Sequence, residues 1–368
     1  MDAAHTTFMH RAVKLARQAK GRTSPNPLVG AVIVKDGKVI GEGYHQKAGT
    51  PHAEVHALSA AGENAKGATL YTTLEPCCHW GRTPPCTEAL IRAGIADVYI
   101  AGIDPNPSVA GKGIRQLEKA GIRVYVGVCK VEAERLNEVH TKYIQTGLPF
   151  VILKIAMSLD GKIATATGES QWITSGVSRQ RGHEIRDEVD AILVGRGTVE
   201  RDNPALTTRL RGNTQGQDAI RIVMDSHARI PPDARIFNAE SSAGVIVAVT
   251  PEAPSENVKV LEKSGAEVVT VPATQGNKVR FKSLMEILGK REITSILIEG
   301  GGEINASAIA AGIVDKIMCF VAPIIIGGRN APGPIGGEGI SNLIDVPRLQ
   351  GVHITPMSDS DFLIEGYL

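Results

Sequence analysis

The sequence predicts an α/β protein made of two consecutive domains, and three observations support this prediction. The chain has 368 residues, more than one ordinary hydrophobic core needs. Short apolar runs alternate with segments of helical periodicity, which is typical of a sheet with helices on both faces. Residues 146–149 (Thr-Gly-Leu-Pro) interrupt this alternation. We therefore place a first domain over residues 1–147 and a second over residues 148–368.

The first domain begins with a helix, because Met9, Ala12, Val13 and Ala16 share one helical face and Gly21 ends the pattern. Apolar runs, a polar hairpin turn and later proline and glycine breaks define the remaining elements. The predicted helices cover residues 6–20, 52–61, 84–93, 113–120 and 131–145, and the predicted strands cover 29–34, 39–44, 69–73, 97–101 and 123–128.

The second domain is predicted to repeat the α/β pattern, with helices between several of its strands. The polar, glycine-containing segments 212–218 and 274–278 are expected to be exposed loops. The apolar run over residues 317–326 has two interpretations, namely pairing across the two-fold axis of a homo-oligomer or burial in the core. The predicted strands cover residues 150–157, 191–194, 220–224, 245–249, 267–271, 295–298 and 317–321.

The composition narrows the class of partner. The formal net charge is +1 and aromatic residues make up 4%, whereas nucleic-acid binding calls for a basic surface and stacking side chains. No apolar run reaches the ~18 residues of a membrane span, and the N-terminus lacks the pattern of a signal peptide. We therefore expect a small-molecule substrate, no nucleic-acid or membrane partner, and a cytoplasmic location.

The cysteines are unevenly spaced. Cys77, Cys78 and Cys86 are close together in the sequence, and without a secretion signal such clustering favours metal binding or catalysis over disulfides. Cys129 and Cys319 stand in apolar, strand-like runs, so we expect them to be small core residues.

The strongest chemical signal combines His52 and Glu54 with Cys77 and Cys86. One imidazole and two thiolates form a typical catalytic zinc set, with a fourth position for water. Zinc lowers the pKa of that water, so hydroxide forms near neutral pH. Glu54 is not expected to be a ligand; it could take the water proton and pass it to a ring nitrogen and the leaving amine, as in nucleobase deaminases.

The cysteine spacing leaves alternatives open. Residues 78–85 separate the two cysteines, a longer interval than the Pro-Cys-x-x-Cys pattern of nucleobase deaminases. We expect Cys86 to enter from the first turn of a helix, whose N-terminus favours a thiolate. Cys78 and His79 are alternative ligands by adjacency. A purely structural role for the histidine and cysteines as ordinary buried residues is the remaining interpretation.

The second domain carries weaker signals. Arg186 and Arg209 could clamp a phosphate, or they could be ordinary surface arginines. Residues 300–302 (Gly-Gly-Gly) follow an apolar strand and open a helix. Backbone N–H groups at such a place can bind a pyrophosphate, but a tight structural turn has the same pattern. A Gly-x-Gly-x-x-Gly motif is absent, which disfavours a Rossmann domain.

Longer motifs make a family resemblance specific. The first domain contains SPNPLVG, TLEPCCHWGRTPPC and DPNP at residues 24–30, 73–86 and 104–107. The second contains KIAMSLDGK, GESQWIT and EGG at residues 154–162, 168–174 and 299–301. Over nearly its whole length, the chain resembles the bifunctional riboflavin-biosynthesis deaminase–reductase family (RibD). Asn203, where that family often has a second Asp, is a peripheral departure.

The resemblance implies a fold and two consecutive reactions. The fold would be a cytidine-deaminase-like α/β/α sandwich followed by a dihydrofolate-reductase-like α/β domain. The first reaction would hydrolyse the amino group of 2,5-diamino-6-ribosylamino-4(3H)-pyrimidinone 5′-phosphate, with one Zn²⁺ per chain. The second would use NADPH, released as NADP⁺, to reduce the ribosyl side chain and give 5-amino-6-ribitylamino-uracil 5′-phosphate.

The resemblance also implies the residues of both sites. In the first domain, Asn26, His45 and Arg82 would hold the substrate. In the second domain, the substrate would contact Ser170, Arg186, Leu206, Arg209 and Glu299. The cofactor would contact Ala156, Trp172, Thr198, Asp202, Ser226, Gly301, Gly302, Glu303, Ile304, Asn305, Ala306 and Ser307. Trp172, Asp202 and Glu299 keep structural alternatives, respectively as a core side chain, a turn residue and a strand-end charge.

Two other functions are compatible with parts of the sequence. A nucleic-acid-editing deaminase would share the zinc residues, but it would need a basic groove and no phosphate-binding second domain. In the other alternative, the second domain is a non-catalytic binding or assembly module. Oxidation of NADPH in the presence of the deaminated intermediate separates these interpretations.

Overall fold

The computed structural model divides the chain into two compact units, Met1–Gly147 and Leu148–Leu368, each with its own β-sheet. None of the helices in the described ranges has both the length and the apolar character needed to cross a membrane. The structure describes residues 3–80, 84–107, 109–212, 216–238, 240–357 and 360–368.

The sheet of the first unit combines antiparallel and parallel strands. Its strands are β1 (Gly30–Lys35), β2 (Lys38–Tyr44), β3 (Thr69–Leu74), β4 (Asp97–Gly102) and β5 (Arg123–Val126). Their spatial order is β2-β1-β3-β4-β5. β1 is antiparallel to β2 and β3, whereas β3, β4 and β5 run parallel. The carboxyl ends of β3 and β4 therefore lie at the same edge.

Helices pack on both faces of this sheet. They are α1 (Ala3–Arg17), α2 (Ala53–Ala61), α3 (Cys86–Ala93), α4 (Lys112–Lys119), α5 (Lys130–Leu136) and α6 (Glu138–Thr146). Along β1, Ala31 and Ile33 belong to the core formed with α2, α3 and α4. Val32 and Val34 belong to the opposite core, formed with α1 and α5. This alternation confirms the predicted α/β/α arrangement.

The segment after β5 differs from the sequence prediction in two respects. The helix expected over residues 131–145 is divided into α5 and α6, because Asn137 leaves helical geometry with φ −109° and ψ 21°. Cys129 directly precedes α5 with a φ of 57°, and it packs at the margin of the core rather than inside a strand. A helix begins at that point, so the apolar run ends sooner than predicted.

The second unit is also an α/β structure. Its strands are β6 (Phe150–Ser158), β7 (Ala191–Gly195), β8 (Ile220–Met224), β9 (Val245–Val249), β10 (Ala266–Thr270), β11 (Ser295–Ile298), β12 (Lys316–Ala322), β13 (Gln350–Pro356) and β14 (Phe362–Tyr367). Its helices are α7 (Gly176–Glu188), α8 (Arg196–Asp202), α9 (Arg235–Asn238), α10 (Ser255–Lys263), α11 (Phe281–Gly289) and α12 (Gly302–Ala310).

The nine-stranded sheet has the order β10-β9-β8-β7-β11-β6-β12-β14-β13. Neighbouring strands from β10 to β12 are parallel, and β14 and β13 add an antiparallel end. Parallel strands buried on both faces have nearly continuous apolar sequences, which is why the sequence located β6 to β12. The two predicted loops, 212–218 and 274–278, contain no helix or strand among their described residues. Residues 213–215 lie outside the described part of the chain.

The apolar run over residues 317–326 divides into two parts, because residues up to Ala322 lie in β12 whereas Ile324 and Ile325 are exposed. β12 lies between β6 and β14, so its hydrogen-bonding edges are occupied and it belongs to the core; Cys319 is buried there, as predicted. The exposed edge strand is β13, which the sequence did not predict. Both of its faces are open, and Val352 and Ile354 are 52% and 57% exposed.

Close packing of α2 on β2 depends on glycine. A Cβ at Gly41 would lie 2.3 Å from the Ala57 carbonyl oxygen, and a Cβ at Gly43 would lie 2.3 Å from His56 Cβ. Any side chain at these two positions would push α2 away from the sheet. Because α2 begins directly after His52, the two glycines fix where the predicted zinc ligand lies.

Gly43→Ala should therefore destabilise the protein by about 1–3 kcal/mol, the usual effect of overpacking. It should also weaken zinc retention, since α2 has to shift. Urea unfolding and zinc content measured on the dialysed protein test both effects. The matched control is Gly102→Ala, whose Cβ would meet only the Thr73 carbonyl oxygen at 3.8 Å. Equal losses in the two variants would contradict the close-packing argument.

Candidate active sites

The predicted zinc ligands meet at the carboxyl edge of β3. His52 directly precedes α2, Cys77 follows β3, and Cys86 is the first residue of α3. His52 Nδ1 lies 3.2 Å from Cys86 Sγ and 3.4 Å from Cys77 Sγ. All three ligand atoms lie within 4.8 Å of one another. One nitrogen and two sulfurs at this separation fit a zinc ion.

Hydrogen bonds polarise this group. Cys77 Sγ interacts with the Cys86 thiol and accepts from the Cys86 backbone N–H at 3.3 Å. These bonds, with His52, lower the pKa of Cys77 to about 4, against the opposing effect of burial. The hydrogen bond to Cys77 and burial raise the pKa of Cys86. Burial, with the negative charge of Cys77, raises the pKa of Glu54 to about 7.

The alternative ligands do not join this group. Neither Cys78 nor His79 belongs to a metal-binding cluster within the described ranges. The described residues contain a second set of potential ligand atoms, on the surface of the first unit. Two of the three residues in this set are exposed, whereas none of His52, Cys77 and Cys86 is. The second set comprises His10, Cys129 and Glu132.

Glu75 is a buried residue that the sequence analysis did not assign. It directly precedes the Pro76-Cys77 pair, is 3% exposed, and its carboxylate accepts backbone hydrogen bonds from the loop after β4 and from the start of α4. The donors are Asp104, Gly111, Gly113 and Ile114, at 2.9–3.3 Å. Glu75 therefore anchors the chain on which Cys77 is carried. An acidic residue directly after an apolar strand was the available sequence signal.

The predicted substrate residues of the first unit that the structure describes lie beside His52, Cys77 and Cys86, here called the zinc group. Asn26 Nδ2 lies 3.1 Å from His45 Nε2, and His45 Nδ1 lies 3.2 Å from the Pro51 carbonyl oxygen. The His45 ring meets the His52 ring edge-on at a centroid distance of 5.4 Å. Burial lowers the pKa of His45, which favours its neutral form. Arg82 lies outside the described residues.

The second unit contains a cavity of about 460 Å³ between α7 and the sheet. Of the predicted residues, Trp172, Arg186, Arg209 and Glu299 line it. Leu206 instead packs in the core and is 4% exposed, and Ser170 lies two residues before Trp172 without lining the cavity. The other lining residues are Lys154, Thr174, Gly176, Ser178, Arg179, Gln180, Gly182, His183, Arg211 and Phe320.

A buried ion pair forms one wall of this cavity. Arg186 Nε and Nη2 donate to the two carboxylate oxygens of Glu299 at 2.7 and 2.9 Å, and Arg186 Nη1 donates to the Thr207 carbonyl oxygen at 3.0 Å. Lys154 Nζ lies 3.8 Å from Glu299. Burial opposes ionisation of Glu299, but the charges of Arg186 and Lys154 prevail and lower its pKa to about 2.

Several cavity residues were missed in the sequence. Lys154 is a charged residue inside the otherwise apolar strand β6, and that contrast was the available signal. Burial and the charges of Arg186 and Arg209 lower the pKa of His183 to about 4. The Arg179 guanidinium lies 4.5 Å from the centroid of the exposed Trp172 ring. The contact of Lys154 with Glu299 joins residues distant in sequence, so local patterns could not reveal it.

The predicted cofactor residues lie near the carboxyl ends of parallel strands. Ala156 is on β6, Thr198 and Asp202 are on α8 after β7, and Ser226 follows β8. The segment 301–307 begins α12 directly after β11. A Cβ built on Gly301 would lie 3.7 Å from Thr198 Oγ1, so two of these segments are adjacent. Ligands of open α/β sheets bind at this edge.

Two family models match the chain. The cytidine and deoxycytidylate deaminase zinc-binding region matches residues 2–102, and the RibD C-terminal domain matches residues 149–360. The riboflavin biosynthesis protein RibD of Escherichia coli K12 is 44% identical, covering 93% of this chain and 94% of its own. RibD of Actinobacillus pleuropneumoniae is 42% identical, covering 97% and 94%. The chain belongs to the RibD family.

Solved RibD structures share this fold. RibD of Acinetobacter baumannii (form 1) is 36% identical with a TM-score of 0.86, covering 99% of both chains. A Thermotoga maritima diaminohydroxyphosphoribosylaminopyrimidine deaminase/5-amino-6-(5-phosphoribosylamino)uracil reductase is 38% identical with a TM-score of 0.85, covering 99% of this chain and 98% of its own. Membership of the RibD family makes this chain a bifunctional deaminase and reductase of riboflavin biosynthesis. It argues against both alternative functions.

The Arg186–Glu299 pair predicts a pH-dependent loss of stability. Arg186→Met should destabilise the protein by about 3 kcal/mol at pH 7, because it leaves the buried Glu299 carboxylate with only the longer contact to Lys154. In the wild type, the lowered pKa of Glu299 stabilises the fold fully above pH 4.5, its ordinary pKa, and this contribution disappears as pH falls toward about 2. Urea unfolding at pH 7 and pH 4 should show the difference between wild type and variant shrinking with acid.

The control for this prediction is the double variant Arg186→Met with Glu299→Leu. The double variant removes the buried carboxylate together with its main partner and leaves only the more exposed Lys154 without Glu299, so it should be more stable than Arg186→Met alone. A double variant that loses the sum of the two single effects would show that the side chains do not interact energetically.

Proposed function

We propose that residues 1–147 deaminate 2,5-diamino-6-ribosylamino-4(3H)-pyrimidinone 5′-phosphate and that residues 148–368 reduce the product with NADPH. The observation that carries the first assignment is the largely buried group of His52, Cys77 and Cys86, with Glu54 in hydrogen-bond contact with Cys86. The name of the Thermotoga maritima relative describes the same pair of activities for that protein.

The deaminase residues would divide the work between binding and proton transfer. His52, Cys77 and Cys86 would hold one zinc ion, since their donor set and separation fit that metal. When bound, zinc supplies the acidity that makes water a nucleophile near neutral pH. Glu54 would take up the two protons of that water in succession, delivering the first to the ring nitrogen as the C–O bond forms and the second to the leaving amine as the C–N bond breaks and ammonia departs.

Asn26 and His45 would orient the pyrimidine beside this group. Because the Pro51 carbonyl oxygen can only accept, His45 Nδ1 carries the proton and His45 Nε2 accepts from Asn26 Nδ2. These hydrogen bonds fix the orientation of the Asn26 amide, so that Asn26 Oδ1 can accept from an N–H or O–H group of the substrate. Arg82 keeps its proposed role at the substrate phosphate, on the basis of its position between Cys77 and Cys86.

The cavity of the second unit would bind the phosphorylated substrate. Arg209 lines it, and its guanidinium suits bidentate binding of phosphate. Three nitrogen atoms of Arg186 already donate to Glu299 and Thr207. Arg186 would bind the substrate phosphate with its remaining N–H groups, and its contact with Glu299 would orient that carboxylate toward the substrate. Ser170, two residues before Trp172, would complete the pocket from a neighbouring segment.

The start of α12 would hold the cofactor pyrophosphate. The helix has nine residues, and Gly301 precedes it without crowding from side chains, so backbone N–H groups can approach a phosphate closely. The cradle would comprise Gly301, Gly302, Glu303, Ile304, Asn305, Ala306 and Ser307. Ala156, Trp172, Thr198, Asp202 and Ser226 would extend the cofactor site along the strand ends. When bound, NADPH supplies the hydride for reduction.

Variants in each unit should separate the two activities. Glu54→Gln should retain zinc and lose deamination by about a hundredfold or more, the usual contribution of general acid–base catalysis. With the already deaminated intermediate, it should oxidise NADPH at the wild-type rate. Arg209→Ala should lower kcat/KM for that reduction by about ten- to a hundredfold, as expected for one charge-assisted phosphate contact. The reverse pattern would exclude separate sites.

We further propose that β13 mediates self-association. An open edge strand can pair with its copy about a two-fold axis. Val352→Lys with Ile354→Lys should then shift the sedimentation velocity profile toward the monomer. The matched control is Val260→Lys, an exposed valine on α10 that is 44% exposed. An unchanged oligomeric state in the double variant, or a monomeric wild type, would refute this role of β13.

A further inference from the structure

Asn137 makes an unusual pair of buried hydrogen bonds. Its side chain is 5% exposed, and it contacts the backbone of Leu28, far away in the sequence. Asn137 Oδ1 accepts from the Leu28 N–H at 2.8 Å, and Asn137 Nδ2 donates to the Leu28 carbonyl oxygen at 2.9 Å. One amide side chain thus pairs with one residue's backbone as a neighbouring strand would.

The position of Asn137 makes this pairing informative. Asn137 directly precedes α6, where an asparagine side chain normally accepts from an N–H in the first turn of its own helix. Here α6 receives no side-chain cap hydrogen bond from it. The amide is therefore directed away from its helix and toward Leu28. Helix stability alone does not explain the residue.

His140 holds the same segment at a second point. His140 Nδ1 lies 3.2 Å from the Pro25 carbonyl oxygen, and because a carbonyl can only accept, this nitrogen carries the proton. Residues 23–28, here called the substrate loop, are thus attached to α6 on both sides of Asn26. Within the loop, the Asn26 N–H donates to the Thr23 carbonyl oxygen at 2.7 Å.

We propose that Asn137 and His140 are positioning residues for deamination. They fix the substrate loop before the substrate arrives, so that Asn26 can donate to His45 and present Oδ1 to a donor group of the pyrimidine. A loop without these attachments would have to be ordered by the substrate itself, and that ordering weakens binding. The inference rests on the proposed role of Asn26 and adds residues that do not touch the substrate.

Asn137→Ser tests this inference most directly. Serine is a good helix-capping residue but is too short to span both polar atoms of Leu28, so α6 gains a cap while the loop loses its attachment. The expected result is a KM for deamination raised about tenfold or more. Zinc content and reduction of the deaminated intermediate should stay near wild type, whereas the melting temperature should fall by a few degrees because two buried hydrogen bonds are lost. Asn64→Ser, at an exposed asparagine of the same unit, is the matched control.

His140 provides a rescue test. His140→Asn can place an N–H donor near the former Nδ1 position and should keep a KM close to wild type, whereas His140→Leu removes the donor and should raise it. Unchanged KM values in Asn137→Ser and His140→Leu would overturn the inference while leaving the proposed function intact. A combined loss of stability, zinc content and both activities in these variants would also overturn the inference, because it would show that the residues have a purely structural role. A wild type that does not deaminate the diamino-pyrimidine would refute both proposals.

Discussion

The buried carboxylate of Glu75 is the constraint on which the zinc group depends. A carboxylate removed from water is costly unless hydrogen bonds compensate its charge, and the backbone N–H groups of the loop after β4 and the start of α4 do so here. The same bonds tie the end of β3 to α4. Cys77, two residues later, consequently enters the site from a fixed backbone, while His52 and Cys86 enter from the first turns of α2 and α3.

Both units place candidate site residues near the carboxyl ends of parallel strands, but they compensate buried charge there differently. The first unit compensates buried charge with backbone N–H groups and with the hydrogen bonds around Cys77. The second unit uses side-chain pairs, above all Arg186 with Glu299. Backbone compensation fixes one ligand geometry. Side-chain compensation leaves N–H groups of the arginine available to a substrate.

The sequence predicted those parts of the fold and site that depend on local patterns. β6 to β12 have apolar runs, His52 and Cys86 stand at helix starts marked by proline, and Cys77 follows Pro76 after β3. β13 was missed because both of its faces are exposed and its apolar residues are only Val352 and Ile354, which alternate with polar residues over too short a stretch to stand out. Lys154 and Asn137 were missed for another reason: each acquires its partner, Glu299 or Leu28, only through the tertiary fold.

The positive charge of the cavity in the second unit has a consequence for how a phosphorylated substrate would reach it. Among the described residues that line this cavity, five are cationic and only Glu299 carries a carboxylate. The cationic residues are Lys154, Arg179, Arg186, Arg209 and Arg211. The chain as a whole carries a formal charge of only +1, so the positive field is local to this opening. Under the proposed function, electrostatic steering would draw a phosphorylated substrate toward this opening and raise the encounter rate. Dissolved salt screens this attraction beyond about 8 Å at physiological ionic strength, so the approach, more than the bound complex, is sensitive to the surrounding electrolyte.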